Sequence, residues 1–98
     1  MNIEVTVDSD LEDLIPDYLE NMRQIPNLLN NALAGSDFET IKREGHKIKG
    51  HGSAYGFHKI TEIGLEVQKA GNEEDIEHIK KMISALEDYL KKVKIVYK

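Results

Sequence analysis

Four stretches of this chain repeat apolar residues every three or four positions, and each is bounded by residues that start or stop a helix. A helix turns ~100° per residue, so positions i, i+3, i+4 and i+7 share one face. The strictest stripe is the last, where Ile76, Ile79, Ile83, Leu86, Leu90 and Val93 alternate in steps of three and four after Asp75. Phe57, Ile60, Ile63, Gly64 and Val67 stripe the third stretch, which ends near Gly71. The second opens at Ser36-Asp37, with Glu39 at capping-box distance, and carries Phe38, Ile41, Gly45, Ile48, Gly52 and Tyr55. In the first, Ser9-x-x-Glu12 reads as a capping box before Leu11, Ile15, Tyr18, Met22, Ile25, Leu29 and Ala32. Leu14, Leu19, Leu28 and Leu33 widen that stripe, so the first helix is expected to be the most buried. Pro16 fits a first turn, Pro26 predicts a kink, and Gly35 ends the segment.

Short connections between four such segments specify an all-α, antiparallel up-and-down four-helix bundle. The expected divisions are an N-terminal segment over 1–8, helical segments over 9–35, 36–56 and 57–71, and a fourth over 75–95, all in one domain spanning 1–98. A two-stranded coiled coil fits poorly with the glycines and with several distinct apolar faces. The ends differ from the middle. Ile3, Val5 and Val7 alternate with polar residues as a short extended segment would, and Ile95-Val96-Tyr97 is rich in β-formers. The two ends are therefore candidates to pair. Asp37 to Lys42 resembles Asp75 to Lys80, which two helix starts obeying the same capping rules explain.

With 98 residues the chain is long enough for one core. Its 32% charged and 40% apolar residues suit a folded helical protein rather than a disordered one. A net charge of -5 argues against a nucleic-acid partner, which calls for a basic surface. Without cysteine there is no disulfide framework, thiolate metal site or thiol nucleophile. No run approaches the ~20 apolar residues of a membrane span, and Met1-Asn2-Ile3-Glu4 has acid where a secretory signal is basic. The expected location is cytoplasmic, the expected state monomeric.

The chemistry concentrates in His46-Lys47-Ile48-Lys49-Gly50. With Gly45 taken as the middle of the apolar face, His46 lies ~100° around the helix, at a solvent-facing shoulder. Lys42, Lys49 and Ser53 fall on the same side. Imidazole is nucleophilic near neutral pH without an activating base, and once phosphorylated it carries negative charge that nearby lysines stabilise. Exposed charge pairs contribute only ~0–1 kcal/mol each, so Lys42 and Lys49 tune and orient rather than drive a reaction. Gly45 and Gly52 each cost ~1 kcal/mol relative to Ala in a helix, which close helix packing explains. Gly50 is off the apolar stripe, so no core needs it; it reads as clearance beside His46 for an approaching partner. The chain has no acidic metal cluster and no glycine-rich phosphate loop, so a metal must come from elsewhere.

His51 is five residues from His46 and does not stack with it as an i, i+4 metal pair would, so no metal site is expected. His58 and His78 read as solvated. Ser53 with a histidine is not a triad, because an acid-oriented base is missing; it belongs to the helix end or touches the phosphate.

His46-x-x-Lys49-Gly50, followed by the Gly/Ser-rich close to Gly56 and an apolar residue, resembles the signature of histidine-containing phosphotransfer (HPt) domains. The resemblance implies a phosphoryl group carried on His46, exchanged with aspartates of response-regulator receiver domains or received from a hybrid histidine kinase. It implies Mg²⁺ on the receiver and no cofactor here. It also implies a place near the imidazole for Gln68, 22 residues after His46. One departure is His51, where the family usually has a small Ser or Ala, and it bears on which receivers fit. Two other readings remain from sequence: the phosphoacceptor domain of a chemotaxis-type histidine kinase, and a helical interaction module that is never phosphorylated.

Overall fold

A computed structural model describes residues 2–98. Its elements are β1 (Ile3–Val7), a 3₁₀ turn (Ser9–Leu11), α1 (Ile15–Ala34), α2 (Phe38–Tyr55), α3 (His58–Glu73), α4 (Ile76–Lys92) and β2 (Val93–Tyr97). The four helices form the expected bundle, in which α2 packs on α3, α3 on α4, and α1 on both α2 and α4. Two helix starts follow the local rules. Asp37 and Asp75 cap α2 and α4 by accepting from the backbone N–H of Thr40 and His78, each at 3.1 Å. The cap of α2 is thus Asp37, not Ser36, whose backbone is left-handed at φ 54°.

The first helix departs from expectation at its start. Asp8, not Ser9, caps the 3₁₀ turn through the Asp10 N–H at 2.9 Å. The α-helix begins only at Ile15, with Pro16 in its first turn and no side-chain cap at Leu14. It then runs unbroken through the buried Pro26. Leu14, just before the helix, is 51% and Leu28 38% exposed, so these two do not widen the buried stripe, yet α1 carries seven buried residues, more than α2, α3 or α4.

The chain ends pair. β1 and β2 form a two-stranded parallel sheet in the register Ile3↔Val93 to Val7↔Tyr97. Bonds from Ser9 N–H to Lys98 O (2.7 Å) and from Lys98 N–H to Val7 O (2.9 Å) extend it. The fourth helix therefore stops at Lys92, and the expected segment over 75–95 divides into helix and strand. An even number of antiparallel helices returns the chain to its starting end, which brings the two strands together. Val7 is buried, with Ile3 and Val5 half-buried on the same face.

The core is assembled from Leu29, Ile41, Phe57, Ile60, Val67, Ile79 and Leu86, all fully buried. Tyr18 stacks against Tyr55 and Phe57 at ring separations of 4.6 and 5.5 Å. Among the described residues its buried hydroxyl has no partner. Burial, with smaller contributions from Tyr89 and Tyr55, raises the Tyr18 pKa and keeps the phenol neutral.

The α2–α3 contact is the tightest feature of the fold. A Cβ on Gly45 would lie 2.5 Å from Gln68 N and 2.9 Å from Gly64 O. One on Gly64 would collide with the Lys49 backbone, and one on Gly52 would lie 2.6 Å from Thr61 Oγ1. Gly50 is different, because a Cβ there would meet nothing within 4 Å. Close packing thus explains Gly45 and Gly52 but not Gly50. Thermal melts should separate them. Gly45→Ala or Gly64→Ala should lose about 2–3 kcal/mol, a fall of roughly 10 °C or more. Gly50→Ala should instead gain about 0.5–1 kcal/mol, the ordinary helix-propensity effect. Equal shifts at positions 45 and 50 would refute the backbone contact.

Candidate functional site

The helix that carries His46 is fixed at both ends. At its start Thr40 donates to Asp37 through both its N–H (3.1 Å) and its hydroxyl (2.6 Å). Those bonds hold the Asp37 carboxyl below its ordinary pKa. At its end Gly56 adopts φ 83°, its N–H donates to Ser53 O, and Phe57 N–H donates to Gly52 O at 2.8 Å. These paired bonds satisfy carbonyls that a helix end otherwise leaves free. The Gly/Ser-rich close of the motif is therefore a helix stop.

His46 lies mid-helix and is exposed. Lys49 is half-buried, and it divides into a fixed part and a free part. Its backbone packs on Gly64 and accepts from the Thr61 hydroxyl at 3.3 Å. Its ammonium makes no ion pair among the described residues. Helical side chains lean toward the N-terminus, so Lys49 projects over the turn that holds His46. Lys42 lies one turn earlier, where its ammonium is 3.1 Å from Glu39 Oε1. Gln68 is placed by its backbone, which fills the space over Gly45 next to His46. Gly50 leaves open space on the same exposed side. Ser53 Oγ lies 3.4 Å from Thr61 Oγ1, which ties it to α3. Thr61 was not legible as a site residue, because only the facing of α2 on α3 brings it there.

His51 does not crowd His46. Five residues place it ~140° around the helix, where it lines a groove of about 410 Å³ between α1 and α2. Lys47, Glu44, Tyr18, Tyr55 and the exposed Leu14 share that groove. Glu44 had no signal beyond its angle on α2, and its burial depends on α1. His58 is exposed as expected. His78 is not: it is half-buried, with Nε2 at 3.1 Å from Glu66 Oε2, and joins α4 to α3. Among the described residues, no group of three or more His, Cys, Asp or Glu side chains could hold a metal ion.

The family model of the Hpt domain matches residues 13–89. The chain belongs to the Hpt domain family. Hpt domains are phosphocarriers of phosphorelays that interact with response regulators and kinases, and they are not classical enzymes. No curated protein and no solved structure matches the chain significantly. Both terminal strands lie outside the matched Hpt region. Among the described residues, no helix is long and apolar enough to cross a membrane.

Proposed function

We propose that His46 is the phosphoacceptor of this Hpt domain and that it exchanges a phosphoryl group with receiver aspartates in a multistep relay. The observation that carries the reading is an exposed mid-helix imidazole, flanked by the unpaired Lys49 ammonium and the open surface at Gly50. An unprotonated imidazole nitrogen attacks the phosphorus of an aspartyl phosphate. The P–N bond forms as the P–O bond to aspartate breaks, and aspartate leaves as a carboxylate. The reverse step hands the group to a second receiver. Mg²⁺ on the receiver stabilises the charge of the transferring group. Here Lys49 offers a cation without first giving up a partner, Lys42 must leave Glu39, and Gln68 adds an amide at the same shoulder. Gly50 lets the receiver approach. A cytoplasmic monomer is the form in which such a carrier meets both donors and acceptors.

Incubation with a phosphorylated receiver should give acid-labile, base-stable phosphate on the parent. His46→Gln should abolish it while the helical circular dichroism stays unchanged, and replacing His51, His58 or His78 should not. Label that survives in the His46 variant would sink the assignment.

Lys49→Ala keeps the backbone contact with Gly64, so its melting temperature should move by only a few degrees. Transfer should slow, or phosphohistidine lifetime fall, by up to about fivefold, the value of one exposed charge pair. Gly50→Gln should fold at least as well as the parent yet transfer poorly. Parental transfer rates in that variant would refute the clearance role.

A further inference from the structure

On the other side of α2 the fold buries a charge that phosphoryl transfer does not use. Glu44 is 7% exposed, the one buried charged residue among those described. Its carboxylate lies 3.2 Å from Lys47 Nζ, and the Lys47 side chain is 56% exposed. Burying a carboxylate is unfavourable unless it is fully paired and hydrogen-bonded. One lysine that stays half in water meets that need only in part, and an apolar residue would pack here without the penalty. Tyr18, which lines the same groove, has a buried hydroxyl without a hydrogen-bond partner among the described residues. The groove is open, its apolar wall is formed by Leu14 and Tyr55, and Asp17 adds a second carboxylate. A cation on an apolar stem complements that combination.

The groove also connects to the phosphosite. Around α2, the exposed Gly50 and Ala54 fall between His46 and the groove rim. Arg43 stands at the same angle one turn earlier and reaches back to Thr40, so a body that covers both passes on the Gly50 and Ala54 side. We propose that the α1–α2 groove receives an arginine or lysine side chain from the receiver that docks over His46, with Glu44 as its counter-ion. Lys47 then turns to solvent, which costs little for an exposed ammonium. The proposal rests on the phosphotransfer function, and it makes Glu44 a determinant of which receivers bind.

Glu44→Gln keeps the side-chain shape and removes the charge. Phosphoramidate phosphorylates an accessible imidazole without a protein partner, so it tests His46 separately from docking. Parent and variant should label equally. Failure of the parent to label would count against the role of His46 and leave the groove to be decided by a second probe. That probe is benzamidinium, an aromatic cation, followed by amide chemical shifts of the full chain. It should shift the residues around Glu44 and bind Glu44→Gln about tenfold more weakly. A receiver that accepts phosphate from the parent should bind the variant roughly 30-fold more weakly, as expected when a buried cation loses its partner. Glu44→Met should melt no lower than the parent. The proposal is overturned if benzamidinium leaves the groove unmoved or binds the variant as tightly as the parent. It is equally overturned if the receiver ignores the substitution, or if Glu44→Met lowers the melting temperature with receiver affinity unchanged, which would make Glu44 a structural residue.

Discussion

Gly45 of α2 and Gly64 of α3 lie backbone to backbone, and the rest of the molecule is arranged around that contact. With no side chain between them, the two helices come closer than a packed layer of Leu or Ile would allow. The facing then sets everything else on these helices. Ile41 and Ile48 turn into the core from one side, and Ile60 and Val67 from the other. Gln68 comes up beside the turn that holds His46, and Thr61 beside the next, at Lys49 and Gly52. The glycines cost ~1 kcal/mol each in helix propensity, which is offset only if the close packing is kept. That is why a single methyl group at this seam is more disruptive than a larger residue at Gly50.

The seam also fixes the site without burying it. Lys49 is fixed through its backbone on α3, while its ammonium makes no ion pair among the described residues. The cations are few and partly engaged, since Lys42 is already shared with Glu39. Weak stabilisation suits the proposed task. A carrier that held a phosphoryl group tightly would slow its release, because each 1.4 kcal/mol of added affinity is a factor of ten in the equilibrium.

Most of this was legible in the chain. The helices followed from 3-4 periodicity, and two of their starts from Asp37 and Asp75, because those signals act within one turn. The placement of His46, Lys49 and Gly50 away from the core face followed from angles on a single helix. What was missed depends on contacts between elements. Val93 fits both the last helical stripe and a strand, and only its pairing with Ile3 decides the matter. Glu44 is buried by α1, Thr61 reaches Lys49 across the seam, and His78 finds Glu66 on a neighbouring helix. The start of α1 was misplaced because Asp8 competes with Ser9 for the same turn.

The start of α1 also links the chain ends to the groove. α1 has no side-chain cap at Leu14, as α3 has none at Phe57, and its own local signals are Pro16 and Asp17 in the first turn. Its placement comes from burial of Ile15 and Tyr18 together with the 3₁₀ turn and β1, which is held by β2. A two-stranded sheet is marginal alone; it persists here because the bundle delivers both ends to one place and buries Val7. Leu14, Asp17 and Tyr18 in that first turn form one wall of the groove over Glu44. The terminal strands lie outside the Hpt match, yet they position a surface beside its most characteristic helix. The groove wall thus begins next to the paired chain ends, whereas the glycine seam lies on another face of α2.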